Sequence, residues 1–183
     1  VSCHQHTGPA RLEQLAQRLA EGQSMALVTD AGTPGVSDPG PALVRAAIAA
    51  GVAVSPIPGP CALTAALSVC GFDAQRFSFA GFLPRKPGRL RRALAALWER
   101  EETFVLYESP HRVVALLREM AALTPARPAV ACRELTKKFE EILRGDPLAM
   151  ATELAARREV RGEFVVVVGP AAPGAVESQP EEA

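Results

Sequence analysis

The sequence predicts an α/β fold in two domains, and three observations predict it. Short apolar runs of strand length alternate with stretches of helical period along 183 residues. The loops that follow the first apolar runs are rich in glycine, proline and acidic or hydroxyl side chains, the composition of ligand loops beyond the carboxyl ends of strands. From Phe72 the texture changes to a denser run of strands with one basic helix, which predicts a second domain with mixed strand pairing.

In order, "ARLEQLAQRLAEG" (10–22) places Leu12, Leu15 and Leu19 on one helical face and stops at Gly22. "SMALVTD" (24–30) reads as a buried strand, "PALVRAAIAAG" (41–51) as a helix with Pro41 near its start, and "VAVSPIPG" (52–59) as a second strand. "CALTAALSVCG" is a helix closed by Gly71. This order implies a parallel sheet flanked by helices in the first domain. Then follow a strand in "RFSFAGFL" (76–83), a basic helix in "RLRRALAALWERE", a strand over 103–109, a helix in "PHRVVALLREMAAL" and a strand over 128–135. "FEEILRG" suits a strand, "DPLAMATELAARR" a helix, and "GEFVVVVG" (162–169) a final strand. The domain boundary is expected near residue 74, giving domains over 1–74 and 75–170, with the acidic, proline-rich 171–183 a disordered tail.

Composition narrows the function classes. Twenty basic and 20 acidic residues cancel, so a nucleic-acid partner must be met by a local patch. No run of about eighteen apolar residues suggests a membrane span, and the first residues have neither the basic start nor the apolar core of a signal peptide. The chain opens on Val1, which suits a piece or processed product of a longer chain. The four cysteines, Cys3, Cys61, Cys70 and Cys132, show no C-x-x-C pair and read as cytosolic thiols. "CHQH" lacks a second ligand pair, so no metal is expected, and neither GxGxxG nor GxxxxGK[ST] occurs.

The chemistry-bearing residues fall in a few stretches. "DAGTPGVSDPG" (30–40) is far longer than an ordinary connection of two to six residues. Its glycines let backbone N–H groups approach a ligand, and Asp30 and Asp38 suit an ammonium or a ribose hydroxyl. Ser37 and Asp38 equally suit a helix cap. "LYESPHR" ends a strand on Glu108, "CRELTKK" ends another on Arg133 and Glu134, and "RGEF" puts Gly162 and Glu163 before the last strand. Together they suggest a shared cleft, although each also suits ordinary surface polarity. "PRKPGRLRR" (84–92) holds five basic residues in nine, a pattern for phosphate contact or for a solvated helix face.

"DAGTPGVSDPG", "PIPGPCALTAAL", "GFLPRKPGR", "YESPHR", "RELTK" and "GEFVVVV" follow one another in an order that closely resembles the tetrapyrrole-methylase superfamily, and within it the ribosomal RNA small-subunit methyltransferase I family. The resemblance implies a two-domain α/β fold with S-adenosylmethionine bound in the cleft between the domains. It also implies methylation of the ribose 2′-hydroxyl of a cytidine in small-subunit ribosomal RNA by a cytoplasmic homodimer that has no membrane partner. The family's opening "TPIGNL" and "AEDTR" have no counterpart here, so the first domain is expected to lack its N-terminal strand. On that template Asp30, Ala31, Gly32, Thr33, Asp38, Pro39, Gly40, Pro60, Cys61 and Ala62 belong to the cofactor loops. Tyr107, Leu135, Gly162 and Glu163 would line the second domain's side. Glu108, Glu134 and Lys137 are the candidate catalytic residues, and Arg85, Lys86, Arg89, Arg91 and Arg92 the RNA contacts. A methylase of a tetrapyrrole or other small molecule fits the loops but leaves the basic segment idle, and a non-catalytic RNA-binding fragment is the other alternative.

Overall fold

The structure, a computed structural model, describes residues 1–4, 6–124 and 126–170. The expected tail over 171–183 lies outside the described residues. The chain divides into two compact units, Val1–Cys61 and the remainder from Ala62.

The first unit is built on two packed helices, α1 (Pro9–Ala20) and α2 (Pro41–Ala49). Both begin with proline, whose missing N–H leaves no helical donor unpaired at that position. Leu15 and Ala16 of α1 and Ala47 of α2 are buried. The two strands expected at 24–30 and 52–59 are absent: among the described residues neither segment joins a ladder. Residues 25–30 keep the alternation of a strand, odd positions half-buried and even positions exposed, so the pattern is present but the hydrogen-bonded neighbour is not. Val28, Val54 and Ile57 are consequently exposed.

The second unit is a sheet with helices on both faces. Its elements are α3 (Ala62–Cys70), β1 (Phe77–Phe82), α4 (Pro87–Trp98), β2 (Thr103–Glu108), α5 (Val113–Ala121), β3 (Ala129–Arg133), β4 (Glu141–Gly145), α6 (Pro147–Ala155) and β5 (Phe164–Val168). The strand order is β1-β2-β5-β3-β4, parallel between β1 and β2 and antiparallel elsewhere, which is the mixed pairing predicted. Period-2 alternation sends Phe104, Leu106, Phe164 and Val166 to one face, against Leu94, Leu116, Leu117, Met120 and Leu154 of α4, α5 and α6. Val105, Val130, Cys132, Val165 and Val167 face the other way, where Ala66 and Cys70 of α3 cover them. α3 therefore packs within the second unit, which begins at Ala62, ahead of the boundary expected near residue 74. Burial pushes the Cys132 thiol up to about 11, the behaviour of an inert packing residue.

Arg127 ties the far end of this sheet. It is almost wholly buried, stacks over Trp98 and Phe104, and donates to the carbonyls of Gly169, Trp98, Arg100 and Glu102 at 2.6–3.2 Å.

Candidate functional site

In the first unit the loop leading into α2 turns sharply at several residues of positive φ: Gly32, Gly35, Ser37 and Gly40. Gly40, at φ +150, is buried, and a Cβ there would lie 2.9 Å from Leu27 Cδ2 and 3.3 Å from Gly35 N. Only glycine lets the loop fold this closely onto the segment before it. Thr33 Oγ1 donates to the Pro60 carbonyl at 3.0 Å, so the two predicted loops are fastened to each other. Asp30, Ala31, Gly32 and Pro60 are exposed, while Asp38, Pro39 and Cys61 are half-buried and Ala62 opens α3. Neither Ser37 nor Asp38 caps α2, whose N-cap is Gly40. A hollow of about 310 Å³ lies beside the loop, lined by Ser37–Leu43, Arg45 and residues of the chain start and α1.

In the second unit, β2 delivers Tyr107 and Glu108 to opposite faces of the sheet. Tyr107 is half-buried between the rings of Phe79 and Phe82, and its hydroxyl accepts from Leu63 N–H at 3.1 Å. Glu108 is buried. Its Oε1 accepts from Ser109 N–H at 2.7 Å, and its Oε2 has the Arg112 guanidinium 3.3 Å away, in ion-pair range but not aligned for a hydrogen bond. The same Arg112 Nη2 donates to the carbonyls of Leu83 and Pro84 at 3.0 and 3.2 Å. Arg112 thus clamps the chain just ahead of the basic segment. The sequence reading did not assign it this role; the i,i+4 spacing of Glu108 and Arg112 within "YESPHR" was the available signal.

A second cluster joins the ends of β3 and β5. Glu134 Oε1 accepts from Glu163 N–H at 2.9 Å and from Lys137 Nζ at 3.0 Å, and Lys137 also reaches Glu163 Oε2 at 2.9 Å. Glu134 and Thr136 adopt positive φ, and Glu140 fixes the turn by accepting from Thr136 N–H at 2.6 Å. Gly162 at φ +89 makes room: a Cβ there would lie 2.5 Å from Glu134 Cγ. The Glu163 N–H and then Lys137 hold the Glu134 carboxyl below its ordinary range, while Glu163 and then Glu134 hold the Lys137 ammonium above its own. Leu135 turns away to pack, half-buried, on the α3 side of the sheet.

The basic segment runs from the Arg112 clamp into α4. Arg91 is bound bidentately by Glu119 of α5 at 2.8–3.0 Å. Arg85, Lys86, Arg89 and Arg92 are exposed and, among the described residues, have no carboxylate partner. They are the cations available to a ligand. No group of three metal-ligating side chains occurs among the described residues.

Residues 2–171 match the model of the family described as Tetrapyrrole (Corrin/Porphyrin) Methylases. The chain belongs to this family. A methylase relative from Xylella fastidiosa strain Temecula1, named Ribosomal RNA small subunit methyltransferase I, is 47% identical over 94% of this chain and 64% of its own length. A relative of the same name from Micromonospora olivasterospora is 46% identical over 92% of this chain and 54% of its own length. The chain thus spans between half and two thirds of these curated relatives. Among solved structures, the methyltransferase CobJ superposes with a TM-score of 0.65 at 24% identity, covering 88% of this chain and 71% of CobJ. Uroporphyrin-III C-methyl transferase from Thermus thermophilus, solved with S-adenyl homocysteine, gives a TM-score of 0.55 at 20% identity, covering 88% of this chain and 73% of that one. The methylase fold predicted from the ordered motifs is the fold observed.

Proposed function

We propose that this methylase-family chain forms most of the catalytic body of an S-adenosylmethionine-dependent enzyme that methylates the ribose 2′-hydroxyl of a cytidine in small-subunit ribosomal RNA. The names of relatives above 40% identity support ribosomal RNA as the substrate. The observation that carries the reading is the exposed basic segment, whose Arg85, Lys86, Arg89 and Arg92 lack carboxylate partners among the described residues. A phosphate backbone, with a negative charge on every nucleotide, uses such a run of exposed cations. The same reading takes the enzyme to be a cytoplasmic homodimer, and no helix among the described residues is long and apolar enough to cross a membrane.

The residues present fit the cofactor. The loop over 30–40 offers backbone N–H groups and the carboxylates of Asp30 and Asp38 to its polar ends, and the Thr33–Pro60 bond keeps the two loops in one shape. When bound, the sulfonium supplies an electrophilic methyl group for in-line displacement, so the protein's task is chiefly alignment and exclusion of water. Tyr107, Leu135, Gly162 and Glu163 are assigned as the second unit's contacts to the cofactor. Glu108, buried against Arg112, serves as a positioning residue. Glu134 is held as a carboxylate by its donors and is a weak base. Lys137 spends two of its three donors on Glu134 and Glu163 and keeps one to hold the 2′ oxygen in line through the lone pair that does not attack, while the hydroxyl proton, made acidic as that oxygen gives up charge, leaves to water.

Calorimetry on this chain tests the cofactor reading: measurable heat with S-adenosylhomocysteine is expected, and none at millimolar ligand with folded protein overturns it for these residues. For RNA, replacing Arg85, Lys86 and Arg89 together with Ala should flatten the slope of log affinity against log salt by roughly two to three units. An unchanged slope would reduce the segment to a solvated helix face.

A further inference from the structure

Phe82 is 57% exposed at the end of edge strand β1, yet its ring is not loose. In a regular strand Phe79 and Phe82, three apart, would point to opposite faces of the sheet. Here the register shifts between Phe79 and Gly81, leaving Ala80 as the extra residue of a bulge. Phe79 pairs with Val105 and Phe82 with Tyr107, so the bulge brings both phenylalanines to the same face. Tyr107 meets Phe79 edge to face at 4.9 Å and Phe82 at 5.8 Å, and its hydroxyl is fixed by Leu63 N–H. On the other side, Arg112 pins the Leu83 and Pro84 carbonyls. The exposed ring is therefore braced by its neighbours and by the chain that follows it.

From this we infer that Phe82 is a stacking platform for an unpaired base of the RNA, with Arg85 and Lys86 taking the adjoining phosphates; the inference rests on the RNA reading above. An exposed aromatic beside partnerless cations is the pairing that single-stranded nucleic acid requires, since every base offers a π-face and every nucleotide a charge. Arg85 follows Phe82 by three positions, a reach of at most about 10 Å. A protein partner would need a wider apolar patch than one exposed ring followed in the chain by two cations. Duplex RNA offers no free face to stack.

The test uses this chain with a short unstructured RNA carrying 2-aminopurine, the same RNA as a duplex, and the variants Phe82→Ala, Phe82→Trp and Arg85→Ala/Lys86→Ala. Phe82→Ala should weaken single-strand binding about fivefold to about a hundredfold and abolish the fluorescence change of the stacked base. It should leave the salt slope as in the parent chain, and Phe82→Trp should restore both affinity and signal. Because Phe82 lies outside the buried core, circular dichroism should be unchanged in both variants. Parent-like affinity for Phe82→Ala, while Arg85→Ala/Lys86→Ala still binds less tightly, would overturn the platform and leave the RNA reading standing. The platform is also overturned if Trp does not rescue, or if Phe82→Ala weakens only S-adenosylhomocysteine binding. Absence of any salt-dependent RNA binding by the parent chain removes both readings.

Discussion

Gly162 leaves the space that the Glu134 side chain fills, and the N–H of the next residue, Glu163, holds that carboxyl below its ordinary range. A methyl group at 162 would meet Glu134 Cγ at 2.5 Å and would sit on a backbone of φ +89. Gly162→Ala should therefore push the carboxylate off both Glu163 N–H and Lys137, destabilising the fold by about 1–3 kcal/mol. Denaturant unfolding reads this directly; an unchanged midpoint would show the two loops independent. Glu134 also predicts a pH dependence. Its folded pKa lies below the unfolded value of about 4.3, so its stabilisation is present above that value and is lost as pH falls through the folded one. Glu134→Gln should flatten the fall in stability on the acid side of about pH 5, and a profile parallel to the parent's would refute the pairing. Hydrogen bonds join Glu134, Lys137 and Glu163, and Gly162 packs against Glu134, so the strand-end motifs "RELTK" and "GEF" are neighbours in the fold. The motifs did not show that Arg91 is bound by Glu119, because that pairing crosses from one helix to another 28 positions away and leaves no mark in the local pattern.

At the scale of elements, period decided what was legible. The helices α1 to α6 and the five strands of the second unit all lie where apolar spacing put them. The bulge in β1 was invisible, since an extra residue exists only relative to the partner strand. Arg127 was invisible for a related reason: its partners are main-chain carbonyls, which carry no residue identity. Its role makes a strong prediction. Removing the guanidinium in Arg127→Met strips charged donors from the carbonyls of Gly169, Trp98, Arg100 and Glu102, and should cost about 3 kcal/mol or more. Arg127→Lys, with fewer donors and no planar fork, should recover only part of that. Thermal unfolding of the two variants would separate these outcomes; full recovery by Lys would mean that charge alone, not the fork of donors, ties the strand ends.

At the scale of the whole molecule, the two units answer the same kind of sequence differently. "SMALVTD" and "FVVVV" both read as buried strands, yet only the second lies in a sheet, between β2 and β3. Apolar content does not make a strand; a hydrogen-bonded neighbour does, and among the described residues 24–30 and 52–59 have none. Val28 and Ile57, 80% and 85% exposed, record the consequence. Local stability should follow the ladders rather than the hydropathy. In native-state hydrogen exchange, amides of 24–30 and 53–59 should exchange close to unstructured rates, while those of β2, β3 and β5 persist until global unfolding. Limited proteolysis should cut the same two segments first and spare the sheet. Protection of 24–30 equal to that of β5 would mean that those amides find acceptors in solution, and the concentration dependence of that protection would show whether a second copy provides them.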